Sequence, residues 1–310
     1  MTLRRLGKSV RELFIRDDKI ADDEKAGHKK STINLLERTT DELSRTKHIS
    51  FRHTDLLGRM IKVVQFSPAE EPADGMNEEV GHFFQPRSEA WLALHPLDMD
   101  RPSVRNKIEE FNQDVDYRQV PSGFENSISI ISQFAQSFAY RIGWHYTATR
   151  VGTNCDLMID SDWFPTGTGD TIFRNGFLLE DHIKSHVDWT LSKAWVPGRT
   201  NKDCPHAMLM ITHPVDGDDR LLRGEVLCIL ETMKFRLSLP EFKDHCIAPV
   251  MIISVAHNKG RILQAYWDGQ YVVIRQSPLH LLNTKDIATY NLFVRYMANI
   301  PIGVTKRIPS

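Results

Sequence analysis

No stretch of the chain approaches the roughly 18 consecutive apolar residues that a membrane-spanning helix needs, so a helical membrane protein is excluded and a soluble one is expected. Neither charge sign is in excess: 39 Lys and Arg stand against 40 Asp and Glu, a net charge of −1. No whole-protein field therefore draws the chain to nucleic acid or an anionic membrane, and any nucleic-acid contact has to use a local patch. Cysteine is scarce. Cys155, Cys204, Cys228 and Cys246 are widely spaced and form no C-x-x-C pair. Cys228 and Cys246 lie in or beside apolar runs, as reduced core cysteines do, which fits an intracellular protein, cytoplasmic or nuclear. The start, "MTLRRLGKSVRELFIRDD", lacks the apolar run of a signal peptide, and Glu12, Asp17 and Asp18 count against a mitochondrial presequence. No G-x-S-x-G or kinase signature occurs.

What is present is ordinary globular material: 41% hydrophobic and 25% charged residues in 310. That length fits one large domain with extensions about as well as two of average size. Residues 1–48 hold twelve Lys and Arg against nine Asp and Glu and read as a charged helical extension, its second helix opening at Ser31 after a polar link, "DDKIADDEKAGHKK". Residues 49–310 read as a single α/β domain. Within it "SGFE", Ser122 to Glu125, is a capping box that starts a helix with Ala135, Phe138 and Ile142 on its buried face. "VGTNCDLMIDSDW" reads as a strand, residues 178–194 as a helical patch, and "HAMLMITH" as a strand. "PVDGDD" follows as a turn, and "RGEVLCILETMKF" as the returning strand. "SLPE" caps a short helix. Three more strands follow, "IAPVMIISVAH", "GRILQAYWD" and "QYVVIRQ", separated by Asn258-Lys259-Gly260 and by Asp268-Gly269. A last helix spans about 284–299. The expected fold is α/β (α+β), a mixed, largely antiparallel central sheet flanked by helices.

On a strand, residues two apart share a face, so Asp156, Asp160 and Asp162 would project together. Such carboxylates suit a hard cation such as Mg²⁺; the plainer reading is a strand running into a polar loop. In "RGEVLCILETMKF", Glu231 and Lys234 stand three apart and share a face only across a bulge at Thr232–Met233. Otherwise they are the polar end of a buried strand. His182 and His186 have the i, i+4 spacing of a zinc pair, but Ile183 stands where the zincin glutamate would be. "TGTGD" lacks the lysine of a phosphate-binding loop. Trp163, Trp189, Trp195 and Trp267 lack neighbouring Lys or Arg clusters, so they suit core packing better than base stacking.

The order of a capped helix, a strand with an acid, a strand ending in an acid and a lysine, a short helix and a further strand resembles the PD-(D/E)XK nuclease-like superfamily. The similarity is to its divergent fungal members, over residues about 122–257. The resemblance implies a restriction-endonuclease-like core and Mg²⁺-dependent phosphodiester hydrolysis. Asp156 and Glu231 would hold the ion, with Asp160 as a further ligand, and Lys234 would position the attacking water. In the family, acid and lysine stand two apart; here Thr232 occupies the expected acid position, and Cys155 replaces the proline before the first acid. These departures leave a second reading open, a noncatalytic interaction or scaffold protein that keeps the fold and binds a protein partner.

Overall fold

The computed structural model describes residues 25–68, 81–113, 128–151, 156–166, 189–201, 203–283 and 286–307. The chain opens with α1 (25–44), then β1 (Ser50–Phe51), α2 (His53–Leu57), β2 (Ile61–Gln65) and β3 (Phe84–Gln85). Four helices follow: α3 (Glu89–Ala93), α4 (Pro102–Gln113), α5 (Ile128–Thr147) and α6 (Leu157–Asp160). Strands β4 (Trp163–Thr166), β5 (Thr190–Pro197), β6 (Ala207–His213) and β7 (Leu221–Leu222) lead into α7 (Arg223–Ser238). The chain then runs through β8 (Val250–Ala256), β9 (Lys259–Trp267), β10 (Val272–Gln276) and β11 (His280–Leu281). It closes with α8 (Ile287–Met297) and β12 (Ile300–Pro301).

The main sheet has the order β2-β10-β9-β8-β6-β5-β4, with β11 added beside β9. It is mixed and mainly antiparallel; the parallel pairs are β6 with β8 and β10 with β2. A parallel neighbour cannot be reached by a tight turn, and α7 is the crossover that carries the chain from β6 to β8. The antiparallel connections β8–β9 and β9–β10 are short. Ala256 pairs with Lys259 across a two-residue turn in which His257 takes φ 53°, and Asp268 closes the β9–β10 turn by accepting the amides of Gln270 and Tyr271 at 2.8 and 2.6 Å.

Helices cover both faces of the sheet, which explains why β6 and β8 are continuous apolar runs rather than alternating ones. Met208 and Met210 of β6, with Met251 and Ile253 of β8, pack against Phe138 and Ile142 of α5 and Phe293 and Met297 of α8. Their neighbours Leu209, Ile211, Val250 and Ile252 point the other way, into a second cluster with α7 and with Leu36 and Leu43 of α1. Burying such a leucine contributes roughly 1.5–3 kcal/mol, so α1 belongs to this core although its sequence is highly charged. Trp163, Trp195 and Trp267 are core residues and Trp189 packs partly buried against α7, as their sequence surroundings suggested.

Three short pairings tie the front of the chain to its far end. β1 pairs with β7, β2 with β10, and β3 with β12.

Several sequence expectations are corrected. Residues 223–235 form most of α7 rather than a strand. Apart from the partly exposed Arg223, Lys234 and Phe235 the run is buried, between the sheet and α1, so its apolar residues show neither a helical nor a strand period, and periodicity cannot separate the two. Residues 156–162 do not form the expected strand, and residues 152–155 lie outside the described residues: Asp156 caps α6, and extended backbone begins at Trp163. Of the helical patch expected at 178–194, residues 178–188 lie outside the described residues and Thr190 onward is the strand β5. Residues 25–30 of the polar link are already helical, so Ser31 lies inside α1. The capping box at Ser122–Glu125, the pair His182 and His186, and most of "TGTGD" lie outside the described residues.

Candidate functional site

Asp156, Asp162, Glu231 and Lys234 each have a structural task. Asp156 is the N-cap of α6, its carboxylate accepting the Ile159 amide at 2.9 Å. Burial pushes its carboxyl above the usual range, ahead of the lowering by the Ile159 and Met158 amides. Asp160 is exposed in the same helical turn. Asp162, at φ 55°, accepts the Thr200 amide at 3.0 Å and the Asn201 side-chain amide at 3.2 Å, fastening the loop after β5 to the start of β4. Glu231 and Lys234 lie on α7 and pair with each other at 2.8 Å as i and i+3, the helical spacing for an ion pair.

These groups are not brought to one place. Leu157, next to Asp156, is packed in the cluster on the α5 side of the sheet, whereas α7 and Glu231 belong to the opposite layer. Asp156 and Glu231 therefore do not fit a shared Mg²⁺, and a bulge at Thr232–Met233 has no meaning in a helix. The central strands β5, β6 and β8 carry no Asp or Glu, and their one Lys or Arg is Lys193. Among the described residues, no group of three or more His, Cys, Asp or Glu side chains could hold a metal ion.

One ionic centre escaped notice in the sequence. Glu225, in the first turn of α7, and Arg261 of β9 are both fully buried and form a two-pronged ion pair, with Arg261 Nε donating to Glu225 Oε1 at 2.7 Å. Burial alone would raise the Glu225 carboxyl, but the Arg261 guanidinium, aided by His213 and Ser254, holds it below the usual range. Glu225 also accepts the Leu222 amide at 2.6 Å, and Arg261 donates to the Asp218 and Arg220 carbonyls at 3.0 and 2.8 Å. The pair fixes the start of α7 and the loop before it. Every oxygen of the carboxylate is engaged, which makes it a fastening rather than a reactive centre.

A cleft of about 770 Å³ opens between α3 and α8, within the roughly 300–1,000 Å³ usual for small-molecule sites. Its walls are mainly apolar: Leu92, Pro96, Leu97, Met99, Ile287 and Leu292. Met99 and Ile287 are large apolar side chains left 43% and 50% exposed at this cleft. One wall, residues 96–99, is fastened to the end of α5: Asp98 N–H donates to Thr149 O at 3.0 Å and Val151 N–H to Pro96 O at 2.9 Å. Arg150 lines the same cleft and donates to the carbonyls of His95, at 3.2 Å, and His145. Burial lowers its pKa to about 10, so it remains a cation at neutral pH.

Arg295, in the last turn of α8, is the second cation of the cleft. Its Nε donates to Arg87 O at 2.6 Å and a terminal nitrogen donates to Glu89 Oε1 at 3.0 Å. The partners differ sharply in exposure: 10% for the Arg295 side chain and 85% for that of Glu89. The guanidinium is held in the fold while the carboxylate is free to turn to water. The sequence expected the helix and its apolar face, but not this role. The one clue was an arginine between Val294 and Tyr296, in a turn that is otherwise apolar. Comparison with known protein families, curated proteins and solved structures finds no match to this chain.

Proposed function

We propose that the protein is a noncatalytic interaction protein that takes a ligand in the cleft between α3 and α8, on a scaffold with a nuclease-like order of elements. The cleft carries this reading. It has the volume of a ligand site, a rigid wall, exposed apolar side chains at its surface and two buried cations, the combination of apolar walls with a few fixed polar groups typical of binding sites. The tasks of Asp156, Glu231 and Lys234 as helix cap and helix-surface ion pair agree with it.

One observation favours the second reading, a restriction-endonuclease-like core with hydrolytic activity. Helix α5, the antiparallel strands β4, β5 and β6, helix α7 and strand β8 keep the general succession of helix, strands, helix and strand in the resemblance, although its acid-and-lysine strand is here the helix α7. Fold alone does not carry function, so the two readings are separated by assay. DNA and RNA are incubated with the protein and Mg²⁺, beside Asp156→Asn, Glu231→Gln and Lys234→Ala. The expected result is no Mg²⁺-dependent cleavage by any of the four. Cleavage by the wild type that all three substitutions abolish would overturn the noncatalytic reading.

A further inference from the structure

The walls of the cleft are apolar, and among the described residues that line it the charged groups are Arg150, Arg295 and, paired with Arg295, the carboxylate of Glu89; His280, also in the lining, is held toward its neutral form by burial. A ligand that satisfied both features would have an apolar body and a negative end. We propose that the cleft binds an amphipathic carboxylate, a small molecule with an alkyl or aryl body and one acid group, with Arg295 receiving that group in exchange for Glu89. This rests on the reading of the cleft as a ligand site and adds the chemistry of the ligand.

The exchange follows from the geometry. Arg295 cannot leave, because its Nε is bound to the Arg87 carbonyl on the chain entering α3. Glu89 can, because its side chain is mostly in water, which solvates the carboxylate once it turns away. The first pair therefore acts as a placeholder that keeps the buried guanidinium partnered when the cleft is empty. A ligand carboxylate arriving from the apolar side would meet the same donor while its body covered Leu92, Leu97 and Leu292. A cationic amphiphile would meet the like charge of Arg295, and a neutral one would gain the apolar contacts alone.

The test uses the full chain and three probes with the same twelve-carbon tail, dodecanoate, dodecanol and dodecyltrimethylammonium, each below its micelle concentration. Affinity is read by calorimetry for the wild type, Glu89→Gln, Arg295→Met and Ala288→Trp. Ala288 is an exposed residue of the cleft lining, so the indole fills the cleft without disturbing the core. The wild type is expected to bind dodecanoate about tenfold more tightly than dodecanol, the ratio that one charge-assisted hydrogen bond supplies. It should not bind the cation. Glu89→Gln should tighten dodecanoate alone, Arg295→Met should abolish the preference for the acid, and Ala288→Trp should weaken acid and alcohol together. Equal binding of acid and alcohol, or a Glu89→Gln variant that leaves the acid unchanged, overturns the carboxylate proposal while the cleft stands as an apolar site. Failure of all three probes, or binding indifferent to Ala288→Trp, overturns the reading of the cleft itself. Arg295 also holds Arg87, so Glu89→Gln keeps the proposal testable should Arg295→Met not fold.

Discussion

At the scale of single residues, the strongest constraint is the burial of charge. Glu225 and Arg261 are sealed from water with one another as partners, and removing one member of such a pair leaves an uncompensated buried charge, a loss of about 3–5 kcal/mol. Arg261→Met should therefore destabilise the fold by that amount in urea unfolding, and Arg261→Met with Glu225→Leu should recover much of the loss. His145 and His206 set a different limit. Burial lowers each to a pKa of about 3, helped at His145 by Arg150 and Arg141 and at His206 in smaller part by Arg236. The folded state thus favours neutral imidazole, while the unfolded chain takes up protons near pH 6.5. Their contribution is present above that value and is lost as the pH falls from about 6.5 toward 3. At pH 5 the loss is about 2 kcal/mol for each histidine. Urea midpoints should fall between pH 7 and pH 5, and His145→Phe, which keeps a ring between Phe111 and Tyr290, should make the slope shallower.

At the scale of elements, the strands were the most legible part. β6, β8 and β10 are dense in Val, Ile, Leu and Met, β9 carries Ile, Leu, Tyr and Trp, and turn residues separate β8, β9 and β10, so length and composition agree with what tertiary contacts later select. α7 was illegible for a physical reason. Glu225, Cys228, Ile229 and Thr232 are all buried, so no polar face remains to mark the helical period, and a fully wrapped helix reads like a central strand. Its entry is as tightly specified as its middle. A β-carbon on Gly224 would overlap the Trp189 ring. Alanine would favour the helix by about 1 kcal/mol, yet overpacking costs about 1–3 kcal/mol, so Gly224→Ala should lower the melting temperature and perturb tryptophan fluorescence. A more stable variant would show that the ring moves aside at little cost.

At the scale of the whole molecule, the candidate site was the least legible feature. Its lining comes from residues as far apart as Ser67, Glu89, Arg150, Pro278 and Arg295, and none of these is unusual in its own stretch of sequence. Only the packing of α3 against α8 makes a cleft of them. The acids that did stand out were conspicuous because caps and helix-surface pairs use the same residue types as metal sites. The same long reach governs the sheet. β2 has β10 as its partner in the main sheet, so a chain ended after Gly269 should lose the near-ultraviolet dichroism of packed aromatics and the cooperative urea transition. A truncated chain that kept both would show that the sheet is stable without that edge.

The three pairings that join residues 50–85 to residues 221–301 also place folding in time. During synthesis the first strands are made long before anything exists to pair with them, and unpaired edges with exposed apolar residues are prone to aggregate. β1 can pair once residues 221–222 are made, whereas β2 and β3 have no partner strand until residues 272–276 and 300–301 are translated.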